Sequence, residues 1–147
     1  MQATNDEIFM QEALKEAREA YKKGEVPIGA VCVHNNKIIS RGYNLIEKSN
    51  DASEHAEIIA IKKASKKLKN WRMSDTTLYV SVAPCFMCSG LILNSRIKKL
   101  VYGAENPHFS GLELLENKLE ITSGVLGDVA KKLMQDFFAK RRGEQKC

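Results

Sequence analysis

Two short segments, His55-Ala56-Glu57 and Pro84-Cys85-Phe86-Met87-Cys88, set the tightest demand on how this chain folds. Each opens a stretch with helical periodicity, so their chemistry combines only if the fold brings two helix starts to one point. Pro84 has no backbone N–H to lose and suits a helix entry, which puts Cys85 in the first turn and Cys88 on the same face one turn on. The positive end of a helix favours thiolates, the form that binds metal. Alone, the cysteine pair reads equally as half of a structural zinc site or as a redox dithiol.

His55 supplies a third residue of metal-ligand type. The other histidines, His34 and His108, belong to no second pair of this kind. Cys32 lies in the apolar run Ala30-Val31-Cys32-Val33 and reads as a buried, inert thiol, while Cys147 is the last residue. Three ligands, His55, Cys85 and Cys88, leave the fourth position of a tetrahedral Zn2+ to water, which is the catalytic arrangement and not the closed structural one. Two thiolates neutralise the charge of the ion, so it acidifies water less than a site of three neutral histidines does. A neighbouring base then becomes useful. Glu57, two residues after the ligand, is the expected catalytic proton shuttle, against the plainer reading of a surface helix residue.

The pattern around these motifs is that of an α/β chain. Thr4-Asn5-Asp6-Glu7 predicts a capping box opening a helix that ends at Gly24. Strand-like runs Ile28–Val33 and Lys37–Gly42 flank His34-Asn35-Asn36, whose asparagines suit a tight hairpin. A helix follows from about Ser53 to Leu68, a strand over Thr77–Ser81, a helix over Cys85–Asn94, and a strand over Lys99–Tyr102. A loop over Gly103–Gly111, a short strand near Leu119–Thr122 and a helix from about Val125 to Arg142 complete the order. The expectation is one domain spanning residues 1–147, a three-layer α/β/α arrangement about a mixed sheet of about five strands.

No apolar run approaches the roughly 18 residues that span a bilayer, and the acidic, amphipathic start lacks the features of a signal peptide. A cytoplasmic protein without membrane association is expected. The formal net charge is +5, to which solvated lysines contribute as readily as a nucleic-acid site. Lys62, Lys63, Lys66, Lys67 and Lys69 read as a solvated helix face, whereas Lys140, Arg141 and Arg142 read as phosphate contacts.

The pairing of His-x-Glu with Pro-Cys-x-x-Cys is the signature of zinc-dependent nucleobase deaminases. Along nearly its whole length the chain resembles the bacterial tRNA-specific adenosine deaminases of TadA type. The likeness includes Gly24-Glu25-Val26-Pro27-Ile28-Gly29-Ala30-Val31, Thr77-Leu78-Tyr79-Val80, Ser95-Arg96-Ile97 and Tyr102-Gly103-Ala104. It continues through Glu120–Leu126 and Asp136-Phe137-Phe138-Ala139-Lys140-Arg141-Arg142. The zinc motif is common to a wider superfamily; the Gly-Glu-Val-Pro segment and the Phe-Phe-x-x-Arg-Arg tail are more selective.

The resemblance implies a cytidine deaminase-like fold and a homodimer that hydrolyses adenosine to inosine at the wobble position of a tRNA anticodon loop, an arginine tRNA by family likeness. It implies that Asn44 hydrogen-bonds the flipped base, that Ile28, Ala56 and Pro84 line its pocket, and that the basic tail holds the anticodon stem. An Asn side chain offers a purine edge both a donor and an acceptor. The chain departs from the family at Asp51-Ala52-Ser53-Glu54, at Ala83 and over Glu105–Gly111, where His108 and Phe109 either stack on a nucleotide or pack on their own domain. Two other functions fit the motifs: deamination of a free base or nucleotide of guanine or cytosine type, and a non-catalytic zinc-containing RNA-binding subunit.

Overall fold

A computed structural model of the chain describes residues 4–145, so Cys147 lies outside the described residues. Helix α1 (Asn5–Lys22) starts at Thr4, whose hydroxyl accepts from the Glu7 amide while the Glu7 carboxylate accepts from the Thr4 amide. The expected capping box is therefore present. Strands β1 (Gly29–His34) and β2 (Lys37–Tyr43) form an antiparallel hairpin. Its turn residues Asn35 and Asn36 take φ of 52° and 61°, the left-handed region that asparagine tolerates.

The chain continues through α2 (Ile46–Ser49), α3 (Ala56–Leu68), β3 (Thr76–Val82), α4 (Phe86–Asn94) and β4 (Lys99–Ala104). A 3-10 turn at Leu112–Leu114, β5 (Glu120–Thr122) and α5 (Gly127–Gln145) follow. The five-stranded sheet runs in the order β2-β1-β3-β4-β5, with β1 antiparallel to both neighbours and β3, β4 and β5 parallel.

Alternation along the strands divides the core. Cys32, Leu78 and Leu100 face Ala56, Ala60, Ile61 and Ala64 of α3 and Ile92 of α4. Val31, Val33, Tyr79 and Val101 face Met10, Ala13 and Leu14 of α1 and Ala130 of α5. The result is a mixed sheet between two helical layers, as expected. Each fully buried Met10 or Leu14 contributes about 1.5–3 kcal/mol through the apolar area it takes out of water. Among the described residues no helix is long and apolar enough to cross a membrane.

Gly42 lets α3 approach the sheet at the end that matters for chemistry. A Cβ there would lie 2.6 Å from the Ala56 carbonyl oxygen and 2.9 Å from the Ala60 nitrogen. The first turn of α3 thus rests directly on β2 backbone. That contact sets the height of α3 over the sheet beside the carboxyl ends of β3 and β4, where open α/β sheets bind ligands.

Candidate metal centre and base pocket

His55 and Cys85 are the N-cap residues of α3 and α4, both in extended conformation (φ/ψ −79°/153° and −74°/179°). Neither side chain caps its own helix. Each is aimed instead at the other, and Cys88, one turn into α4 and fully buried, completes a triangle. The expectation that Cys85 sits inside the first turn is off by one position: it precedes the turn, held by Ser89 N–H donating to its carbonyl at 2.9 Å.

The His55 Nδ1 lies 3.6 Å from Cys85 Sγ and 3.4 Å from Cys88 Sγ, and the three atoms lie within 4.8 Å of one another. Ligands about 2.0–2.3 Å from a tetrahedral zinc are roughly 3.3–3.8 Å apart. The two histidine–sulfur separations fall in that range. Two helix N-termini point their positive ends into it, which favours thiolates there.

The proton affinities follow from this crowding. The Cys88 thiol donating to Cys85, together with His55, pulls the Cys85 thiol down to about 4. The Cys85 thiolate and burial push Cys88 up. The same thiolate raises His55. Of the two thiols Cys85 is thus the more acidic. A divalent metal held here would favour the thiolate form of both sulfurs. Cys32 is different in kind: desolvation pushes it up to about 12, the inert buried thiol that was expected.

Glu57 is 3% exposed, the second residue of α3. Burial pushes its carboxyl up to about 7, only partly offset by a hydrogen bond from backbone and the positive His55. A carboxyl of that affinity exchanges its proton at neutral pH, which a solvated helix carboxylate does not.

Asn44, just past β2, is 4% exposed, and its Oδ1 accepts the Ala56 amide at 2.8 Å. One lone pair of Oδ1 is thereby engaged by α3, and Nδ2, the donor end of the side chain, makes no hydrogen bond among the described residues. Ala56 and Pro84 are buried, Ile28 half-buried. The loop 105–111 is stitched to the cysteine segment. Gly111 N–H donates to the Pro84 carbonyl at 2.9 Å, Cys85 and Ser110 form an antiparallel bridge, and Asn106 Nδ2 reaches the Ala83 carbonyl at 3.4 Å. Asn106 was not singled out by sequence reasoning, and its neighbour Pro107 was the only local hint of a fixed turn.

A groove of about 1210 Å³ is lined by Ile28, by residues of the 105–109 stretch and by α5 residues including Phe138 and Arg142. Phe109 is 68% exposed, so it does not pack on its own domain. Lys140, Arg141 and Arg142 are all exposed on the last turns of α5, with the Arg141 guanidinium 5.5 Å over the Phe137 ring. Lys62, Lys63, Lys66, Lys67 and Lys69 are exposed as a solvated face.

Comparison with known proteins comes to the same chemistry. Residues 4–142 match the MafB19-like deaminase family. The tRNA-specific adenosine deaminase of Buchnera aphidicola subsp. Schizaphis graminum is 43% identical over 97% of this chain and 99% of its own. A chloroplastic tRNA(adenine(34)) deaminase of Arabidopsis thaliana is 44% identical over 94% of this chain, which spans 12% of that longer protein. A solved structure from work on A-to-I editing by tRNA:A34 deaminases at the wobble position superposes with a TM-score of 0.81. It is 35% identical, over 86% of this chain and 98% of its own.

Proposed function

The chain belongs to the MafB19-like deaminase family, among the tRNA-specific adenosine deaminases, and on that premise we propose that it hydrolyses adenosine to inosine at the wobble position of a tRNA anticodon loop. The observation that carries the reading is the buried Glu57 carboxyl, poised near neutrality beside a three-ligand triangle. A structural metal module has no use for such a group.

His55, Cys85 and Cys88 would hold Zn2+, which would supply Lewis-acid activation of water. Glu57 would take one proton from the attacking water and pass it to the ring nitrogen. It would then take the second from the hydroxyl now on the ring carbon and pass it to the amine, which leaves as ammonia while the ring carbon becomes a carbonyl. Asn44 orients the flipped base through Nδ2, and Ile28, Ala56 and Pro84 wall the pocket. A base in an anticodon loop leaves its stack at lower cost than one in a duplex. Lys140, Arg141 and Arg142 hold the phosphates of the stem.

The finer assignments follow from the family likeness: an arginine tRNA, a homodimer, a cytoplasmic enzyme of one domain over residues 1–147. The homodimer is supported by Phe86 and Met87, 51% and 41% exposed between the two cysteines, a placement of apolar surface suited to a subunit contact.

The test is direct. Zinc-loaded protein is incubated with an anticodon stem–loop carrying adenosine at the wobble position, and separately with free adenine, guanine and cytosine. Inosine in the RNA alone is expected. Turnover of a free base without inosine in RNA overturns the tRNA assignment, and turnover of neither leaves the non-catalytic subunit as the better reading.

A further inference from the structure

The segment Gly24-Glu25-Val26-Pro27 takes no part in the chemistry above, yet Glu25 is only 1% exposed. A carboxylate taken out of water is costly unless hydrogen bonds replace the lost solvent. Here both oxygens are matched. Oε1 accepts the Glu47 amide at 3.1 Å and Oε2 accepts the Lys48 amide at 2.8 Å. These are first-turn donors of α2, without partners inside the helix. The N-cap residue Leu45 has no side chain to offer them, and α2 buries none of its residues. Packing therefore does little to place this turn, and the carboxylate does most of it.

Glu25 is itself fixed, its amide donating to the Ala20 carbonyl at the end of α1 at 3.0 Å. The tie runs from α1 through Glu25 to α2, and α2 begins two residues after Asn44. On its other side Asn44 is held by its amide, which donates to the Ile28 carbonyl at 3.2 Å. The Leu45 amide reaches the Glu54 carbonyl at 3.0 Å, and Asn44 Oδ1 takes the Ala56 amide. Three chain segments, 25–28, 44–48 and 54–56, are laced into one corner. His55 lies in the third of them.

We propose that Glu25 is a positioning residue for base recognition: by capping α2 it holds Asn44 in the orientation that spends Oδ1 on Ala56 and leaves Nδ2 for the purine. The proposal rests on the reading of Asn44 as the base contact. It also explains why a carboxylate stands here. Two N–H donors require two acceptors, and glutamine brings one acceptor and an NH2 that would face a donor.

The experiment compares wild type, Glu25→Gln, Asn44→Asp and the double variant, all zinc-loaded, on the wobble-adenosine stem–loop. Amide hydrogen exchange at Ala56 is followed in the same proteins. Asn44→Asp keeps the acceptor for Ala56 and removes the donor. Glu25→Gln is expected to lower kcat/KM about tenfold at unchanged zinc content and to speed Ala56 exchange by a similar factor. Its loss in kcat/KM shrinks to less than about twofold in the Asn44→Asp background, because both changes act through one side chain. Glu25→Asp, with two acceptors on a shorter stem, recovers part of the loss and serves if the glutamine variant fails to fold.

Unchanged exchange at Ala56, or a full tenfold loss persisting in the double variant, overturns the proposal. The exchange measurement needs no turnover. Faster Ala56 exchange in a protein that leaves RNA untouched therefore supports the brace while removing the assigned reaction.

Discussion

Glu57 concentrates the chemistry of this protein in one carboxyl whose burial lifts it to about 7. Glu57→Gln keeps its shape and cannot exchange a proton, so kcat is expected to fall by about 10²–10⁴-fold with zinc content, measured by atomic absorption, unchanged. Normal turnover in that variant removes the shuttle. The same shift makes a stability prediction for metal-free protein. Because the folded carboxyl holds its proton above the ordinary 4.5, its contribution is complete below about pH 4.5 and is lost as pH rises through about 7. Cys85, depressed to about 4, acts in the opposite sense, gaining as pH rises. Comparing melting temperatures of wild type and Glu57→Gln between about pH 5 and 8 isolates the carboxyl. The wild type is expected to lose ground relative to the variant as pH rises, and parallel curves would sink the assignment.

At the scale of elements, the site depends on how closely α3 lies on β2. Gly42→Ala places a methyl 2.6 Å from the Ala56 carbonyl oxygen. Strand and helix must part, at about 1–3 kcal/mol, and His55 moves with the first turn. Melting should fall by several degrees, and competition against a zinc chromophore should show affinity weakened by up to about tenfold. The elements legible in the sequence are those whose signals are local: the Thr4–Glu7 capping box, the Asn35-Asn36 turn, and the periodic runs of α1, α3 and α5. Helix α2 was invisible because four residues carry no period and its cap, Glu25, comes from 22 residues away. The 3-10 turn at Leu112–Leu114 escaped for the same lack of period. The triangle of His55, Cys85 and Cys88 could be read because ligand chemistry marks residue type and spacing. That Asn44 Oδ1 faces Ala56 could not, since the partner amide is unmarked in sequence and reaches it only through tertiary packing.

For the whole molecule, the relevant quantity is where its net charge of +5 sits. The lysines of α3 are spread along a solvated face, whereas Lys140, Arg141 and Arg142 stand together near the end of α5, with Arg142 lining the same groove as Ile28. Replacing these three by alanine is expected to weaken stem–loop binding and to reduce the slope of log K against log salt by roughly 2–3, one increment of about 0.9 per lost phosphate contact on a duplex stem. An unchanged slope makes the tail an ordinary solvated helix end. The same view of the molecule gives a wider meaning to the two N-caps that serve as ligands. Helices ordinarily keep a serine or aspartate there, and this chain keeps a histidine and a cysteine. Without metal, the start of α3 keeps its Asn44 cap, but no shared ion ties the His55 and Cys85 side chains together. The exposed residues Asp51 and Ala52 lie just before that helix. Stripped with a chelator, the protein should be cut after Glu54 by a Glu-specific protease about tenfold faster than the zinc-loaded form, and equal rates would refute this. With faster cutting of the stripped form, the metal would be a clasp between two helix starts as well as a reagent.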